Sequence, residues 1–216
     1  MSSDLIATAG LVTREIRSGS RAGTPTRIAV GRRTYPTHPA DLWDALTSPD
    51  RLPRWFVPVT GDLRVGGRYQ VEGNANGVVE RCTAPESFAV TWEFGDTVSW
   101  LEVRLTPDGP GTLLELVHEA PVDPDRWGRF GPGAVGVGWD LALLGLGLHV
   151  ESGAPVDPEI AASFTLTPEG REFVRQAAQG WADAAVADGD EEGAAHEAAA
   201  RTVAFYTTAP EAPPES

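Results

Sequence analysis

Apolar and polar residues alternate along the first two thirds of the chain and then give way to one long apolar run, GPGAVGVGWDLALLGLGLHV, at residues 131–150. Alternation with period two marks half-buried strands, and a run of that length marks a helix. The pattern predicts a helix over residues 132–150 lying across an antiparallel sheet. Before it, Arg27, Ile28, Ala29 and Val30 open a strand that runs to Tyr35. Leu11 to Ile16 can form an earlier strand, paired with it across a polar turn at 18–25. Leu42, Trp43, Ala45 and Leu46 give residues 37–46 the apolar face of a helix, with His38 at its cap and Pro39 in its first turn. A second short helix is predicted over 49–56.

From Val59 onward the period is two. Tyr69 and Val71 share a face opposite Arg68 and Gln70. Asn76-Gly77 reads as a hairpin turn. The strand from Val78 to Cys82 has no clear phase. Phe88, Val90, Trp92 and Phe94 alternate, as do Leu101, Val103 and Leu105, and then Leu114, Leu116 and His118. Sequential strands joined by short turns form a meander. Residues 120–132 read as a loop holding Trp127 and Phe130. After the long helix, Phe173, Ala177, Trp181 and Ala184 form one stripe of a helix that opens at Thr167-Pro168-Glu169. Ala195, Ala198, Thr202 and Phe205 form the stripe of a second, with Gly189-Asp190 as the turn between them. This hairpin can pack on its own domain, form a dimer contact or act as a lid. The end, APEAPPES, reads as a disordered tail.

The long run admits three readings. Its length suits a bilayer span, but Asp140 near its middle argues against one, because a buried carboxylate is costly in lipid. It can be a plain core helix. It can also be core on one side and cavity roof on the other, a reading suggested by Gly138, Ala142 and Gly145 at helical spacing. Close packing of the helix on a strand explains the same glycines.

Composition narrows the function. All 17 basic residues are Arg, and the formal charge is −14. Such a surface repels phosphate backbones, so no nucleic-acid partner is expected. Cys82 is the single cysteine, which excludes an internal disulfide and a Cys-rich metal site. The first ten residues lack the charged and apolar regions of a signal peptide, so a cytoplasmic location is the expectation. No nucleophile motif, phosphate loop or metal-ligand spacing occurs, and no cofactor is predicted.

In five stretches the wording resembles the START-like (Bet v 1-like, SRPBCC) superfamily, and most closely the branch related to the C-terminal domain of the activator of Hsp90 ATPase. They are PADLWDALTSPDRLPRWFVP (39–58), GDLRVGGRYQVEG (61–73), APESFAVTWEF (84–94), GTLLELVHEA (111–120) and GVGWDLALLGL (136–146). The resemblance implies an α+β helix-grip fold over residues 27–150: a curved antiparallel sheet around a long C-terminal helix, with an apolar cavity between them. Residues 1–26 then form an N-terminal segment, 151–207 a helical extension and 208–216 a tail. The resemblance does not select an activity, since one fold hosts many functions.

Alternation and the helix stripe place Tyr69, Trp92, Val103, Leu116 and His118 from the sheet, with Trp139 and Leu143 from the helix, around such a cavity. Trp55 is a further candidate for lining or filling it. His118 can orient a ligand through one hydrogen bond or act as acid and base. Asp140 is the carboxylate to test as its partner, the alternative being that it faces solvent or caps a loop. Three classes follow: a non-catalytic binder of a small hydrophobic molecule, a chaperone-linked or other interaction module, and a cyclase- or hydratase-like enzyme using His118 and Asp140; a homodimer is possible with any of them.

Overall fold

The computed structural model describes residues 7–209. One antiparallel sheet holds β1 (Thr13–Arg21), β2 (Thr24–Tyr35), β3 (Val59–Gly61), β4 (Arg68–Val71), β5 (Asn76–Thr83), β6 (Ser87–Phe94), β7 (Thr97–Asp108) and β8 (Gly111–Pro121). Their spatial order is β1-β2-β8-β7-β6-β5-β4-β3. After β2 the chain crosses to the far edge through α1 (Pro39–Thr47) and a 3₁₀ turn (Leu52–Arg54), then returns strand by strand until β8 pairs with β2. Beyond β8 come α2 (Pro124–Phe130), α3 (Gly133–Ser152), α4 (Pro158–Ser163), α5 (Pro168–Ala187) and α6 (Glu192–Thr207).

Several local expectations are corrected. The segment at 18–25 is strand up to Arg21, and the turn is confined to Ala22 and Gly23. Asn76-Gly77 is not a hairpin turn but the start of β5; the chain reverses at residues 72–74, with Gly73 at φ 66°. Gly77 is needed there for close approach, because a Cβ would lie 2.0 Å from the Thr91 carbonyl. The second short helix shrinks to the 3₁₀ turn. Residues 124–130 of the expected loop form a helix capped by Asp123, whose carboxylate accepts from Arg126 N at 3.0 Å. Its Trp127 donates to Asp190 at 2.7 Å and lies under the Arg27 guanidinium, so the ring is clamped against the α5–α6 turn. Residues 210–216 of the expected tail lie outside the described residues.

The outer face of the sheet is a ladder of ion pairs. Arg32 bridges Glu15 and Glu115, and Arg104 bridges Glu102 and Glu115. Each pair is at least partly exposed and contributes at most about 1 kcal/mol. The inner face carries the core, in two clusters divided by α3. One cluster joins the inner strands to α1, with Tyr35, Leu42, Val103, Leu114, Leu143 and Leu146. The other joins β1 and the back of α3 to α5 and α6, with Ile16, Val137, Leu144, Phe173 and Trp181.

This double coverage is why α3 is apolar all round its circumference. It is also long and apolar enough to cross a membrane, but protein packs on both its sides. Its glycines are notches for bulky groups. A Cβ on Gly136 would meet the Trp181 ring at 2.3 Å, one on Gly145 the Trp55 carbonyl at 2.8 Å, and one on Gly147 the Arg33 guanidinium at 2.4 Å. Close packing therefore accounts for Gly145, and the group above Gly138 is the Tyr206 hydroxyl at 3.1 Å.

Helix propensity alone favours Gly136→Ala by about 1 kcal/mol. The notch reverses the sign, and overpacking should cost about 1–3 kcal/mol. Urea denaturation decides between the two, and a stabilised variant would mean that Trp181 is not seated there. In the α5–α6 hairpin, Phe173, Ala177 and Trp181 are buried, as are Ala195, Ala198 and Thr202. Phe205, expected on the packed side, is instead 62% exposed. At the end of α6 it meets the rings of Phe130, tilted, and Tyr206, edge-on.

Candidate functional site

Between the inner face of the sheet, α1 and α3 lies a cavity of about 350 Å³. Strand alternation delivers one wall: Phe88, Val90 and Trp92 from β6, Leu101 and Val103 from β7, and Leu114 and Leu116 from β8. Tyr69 and Val71 of β4 add to it. On β5 both Val79 and Cys82 line the cavity, although three residues apart. An irregularity between Val79 and Arg81 shifts the register there, and a bulge of this kind flips the phase of everything after it. That is why the sequence around Val78 to Cys82 shows no clear period. Trp139, Ala142, Leu143 and Leu146 of α3 form the opposite wall. Trp43 and Leu46 of α1, with Trp55 and Phe56 after the 3₁₀ turn, close one side. Leu63, Cys82 and Ala84 are lining residues that are also exposed, and they mark the mouth.

The α1 side is held to the end of α3 by polar contacts. Arg51 Nε donates to His149 Nε2 at 3.2 Å, and Arg54 Nη2 donates to the Gly153 carbonyl at 2.7 Å. Arg51 also pairs with Asp41 and Asp44. His149 is buried, with Nδ1 at 2.8 Å from the Ala154 carbonyl. Since Nε2 must accept from Arg51, Nδ1 carries the proton.

Of the seven residues expected around the cavity, Tyr69, Trp92, Val103, Leu116, Trp139 and Leu143 line it. His118 does not. It is buried behind Trp139, whose Nε1 donates to its Nδ1 at 2.9 Å. Its Nε2 lies 2.8 Å from Ser99 Oγ, which in turn donates to the Trp92 carbonyl at 3.0 Å. Accepting at Nδ1 and donating from Nε2 makes the ring neutral and leaves neither nitrogen free. Burial pushes its pKa down to about 4, and the positive charge of Arg126 pushes the same way. His118 thus fixes the Trp139 ring, and through Ser99 reaches the Trp92 main chain, rather than lining the cavity.

Asp140 neither partners His118 nor faces solvent. It is buried on the far side of α3, where Oδ2 accepts from Arg14 Nε at 3.0 Å and from Trp181 Nε1 at 2.9 Å. Burial raises its pKa to about 6, while Arg14 and Trp181 pull the other way without cancelling the shift. Arg14 also donates to the Val12 and Ala9 carbonyls. The carboxylate therefore joins β1, α3 and α5. Arg14, missed by sequence reasoning, carries no signal beyond being a basic residue on a strand.

Lining residues also missed are Trp43, Phe56, Phe88 and Leu114. For Phe88 and Leu114 the alternation was visible. For Trp43 and Phe56 only the chain's return over the sheet reveals the role. Two further polar tips inside are occupied: Trp55 Nε1 donates to the Ala45 carbonyl at 2.9 Å, and the Tyr69 hydroxyl to the Thr91 carbonyl at 2.7 Å. Among the described residues no Asp, Glu, Arg or His lines the cavity, and no group of three or more potential metal ligands occurs.

A curved antiparallel sheet closed around a long helix, with an apolar cavity between them, is a helix-grip architecture. The model of the family described as Activator of Hsp90 ATPase homolog 1-like protein matches residues 36–151, and the chain belongs to that family. CalU16 from Micromonospora echinospora is similar at 31% identity over 80% of this chain and 97% of its own, with a TM-score of 0.65 to its crystal structure. Its solution structure gives 30% identity over 82% and 96%, with a TM-score of 0.68. Both matches cover more of the chain than the family model does. DynU16, from the dynemicin biosynthetic locus, is similar in fold at 18% identity over 59% of this chain and 48% of its own, with a TM-score of 0.53. Comparison with curated proteins finds no match.

Proposed function

We propose that the protein binds a small hydrophobic molecule, without transforming it, in the cavity between sheet and α3. The observation that carries this reading is the cavity itself, about 350 Å³ with walls of apolar and aromatic side chains. Its size falls in the range of small-molecule sites, which are typically concave and mostly apolar. An unfilled apolar cavity lowers stability, on the order of 20 cal/mol per Å³ in cavity-creating variants. A protein that acted only through its surface would carry that cost without return. Binding rather than catalysis is favoured because His118 and Asp140, the two acid–base candidates, are each committed to other partners. Affinity would come from apolar area removed from water, about 25 cal/mol per Å² before the costs of association.

Cys82 offers a direct readout. It is the chain's one cysteine and stands at the mouth. A bound apolar molecule should slow its reaction with a bulky thiol reagent and raise the melting temperature in the same titration. Ala142→Trp places an indole in the cavity and should weaken binding at least tenfold, about 1.4 kcal/mol. Unprotected Cys82 and unchanged melting across a screen of apolar molecules would remove the reading.

A further inference from the structure

Resting on the binder reading above, we propose that the ligand is a flat, uncharged aromatic molecule of two or more fused rings bearing an oxygen acceptor. The walls carry this further than hydrophobicity alone. Four of the chain's seven tryptophans, Trp43, Trp55, Trp92 and Trp139, line one cavity, together with Phe88 and Tyr69. They form edge-on pairs across element boundaries. Trp43 of α1 meets Phe88 of β6 with centroids 6.0 Å apart at 73°, and Trp92 of β6 meets Trp139 of α3 at 5.1 Å and 65°. Offset and edge-to-face contacts are the favoured geometries between aromatic rings, so such walls can receive a further ring in the same way.

Three of the rings are fixed by hydrogen bonds at their polar tips: Trp55 to Ala45, Tyr69 to Thr91 and Trp139 to His118. Among the described residues no Met lines the cavity, so no thioether there adapts the walls. Rigid walls favour a rigid ligand, because a flexible chain of equal size loses rotamer freedom on entry. The absence of charged lining residues disfavours an ionised ligand. The indole N–H groups of Trp43 and Trp92 have no acceptor among the described residues, and neither is a sealed, unsatisfied atom. They are the donors available to a carbonyl, phenol or ether oxygen.

The test uses three probes with the same number of carbon and oxygen atoms: 2-naphthol, decahydro-2-naphthol and 1-decanol. Area removed from water alone ranks the saturated molecules first. Calorimetric titration of the full chain should instead show 2-naphthol binding at least tenfold tighter than either. Trp92→Leu and Trp43→Leu should each collapse that ratio, while Trp92→Phe, which keeps a ring, should retain most of it. The ratio of affinities separates a lost aromatic wall from a loosened fold, which would weaken all three probes together. If a saturated probe binds as well as 2-naphthol, the aromatic class is wrong and the binder reading stands. If none of the three binds or protects Cys82, both fall.

Discussion

Replacing Asp140 by Ala should destabilise the protein by about 3–5 kcal/mol, the usual effect of removing one partner from a buried ion pair. Asp140 is 1% exposed, and the Arg14 side chain that it meets is 8% exposed. The substitution strands a guanidinium and the Trp181 N–H in an apolar cluster. Trp181 fills the Gly136 notch, so the loss should spread to the seat of α5. Asp140→Asn preserves a hydrogen-bond acceptor for Trp181 but not the charge, and should fall between Ala and wild type. Exchanging both partners for apolar residues, as in Arg14→Met with Asp140→Leu, should recover most of the loss. The pair stabilises the fold only relative to its half-broken forms. Urea denaturation of the wild type and these three variants measures the differences. A cost below about 1 kcal/mol for Asp140→Ala would show that the pair is not sealed from water.

The second large effect is one of pH. His118 sits at about 4 in the folded chain, below its ordinary 6.5. Between those values the unfolded chain binds the proton and the folded chain does not. Stability is therefore lost as pH falls through that window, by up to about 3 kcal/mol. Asp140 works in the opposite direction. It sits at about 6 when folded against an ordinary 3.8, so the folded chain takes the proton first. Acidification from 6 towards 4 adds stability on its account, by a comparable amount. In the wild type the two nearly offset each other.

His118→Gln can accept from Trp139 and donate to Ser99 but cannot titrate. The variant should lose the acid penalty and gain about 2 kcal/mol relative to wild type between pH 7 and pH 5. Glu15 and Glu172, held at about 2 by hydrogen bonds to their Arg neighbours, weaken both proteins alike in acid and drop out of the difference. Parallel stability profiles for the two proteins would show that His118 is not kept neutral by burial.

Alternation is a local property, and it was legible wherever a strand kept one phase. Tyr69, Trp92, Val103 and Leu116 could be set on the concave face because each strand shows the same side chain spacing to its neighbours. Extending the rule one step further up β8 to His118 failed, because Trp139 stands between that ring and the cavity. On β5 the phase changes within the strand, and no rule of period two survives a register shift. The long helix was legible from its apolar run, but its two faces were not. Where both sides are buried there is no polar stripe to say which side meets what.

The class of fold is written in local periodicity: the meander of alternating strands, the long apolar helix after it, and the amphipathic hairpin behind. These follow from periodicities of two and 3.6, which any short window of the chain already contains. The cavity, by contrast, is set by how the elements pack. The crossing of α1 over the sheet brought Trp43 and Trp55 to the same space as Trp92 and Trp139, and the packing of α5 against α3 turned Asp140 towards Arg14, 126 residues away. Contacts of that separation are made by whole elements meeting in three dimensions, and no local spacing records them.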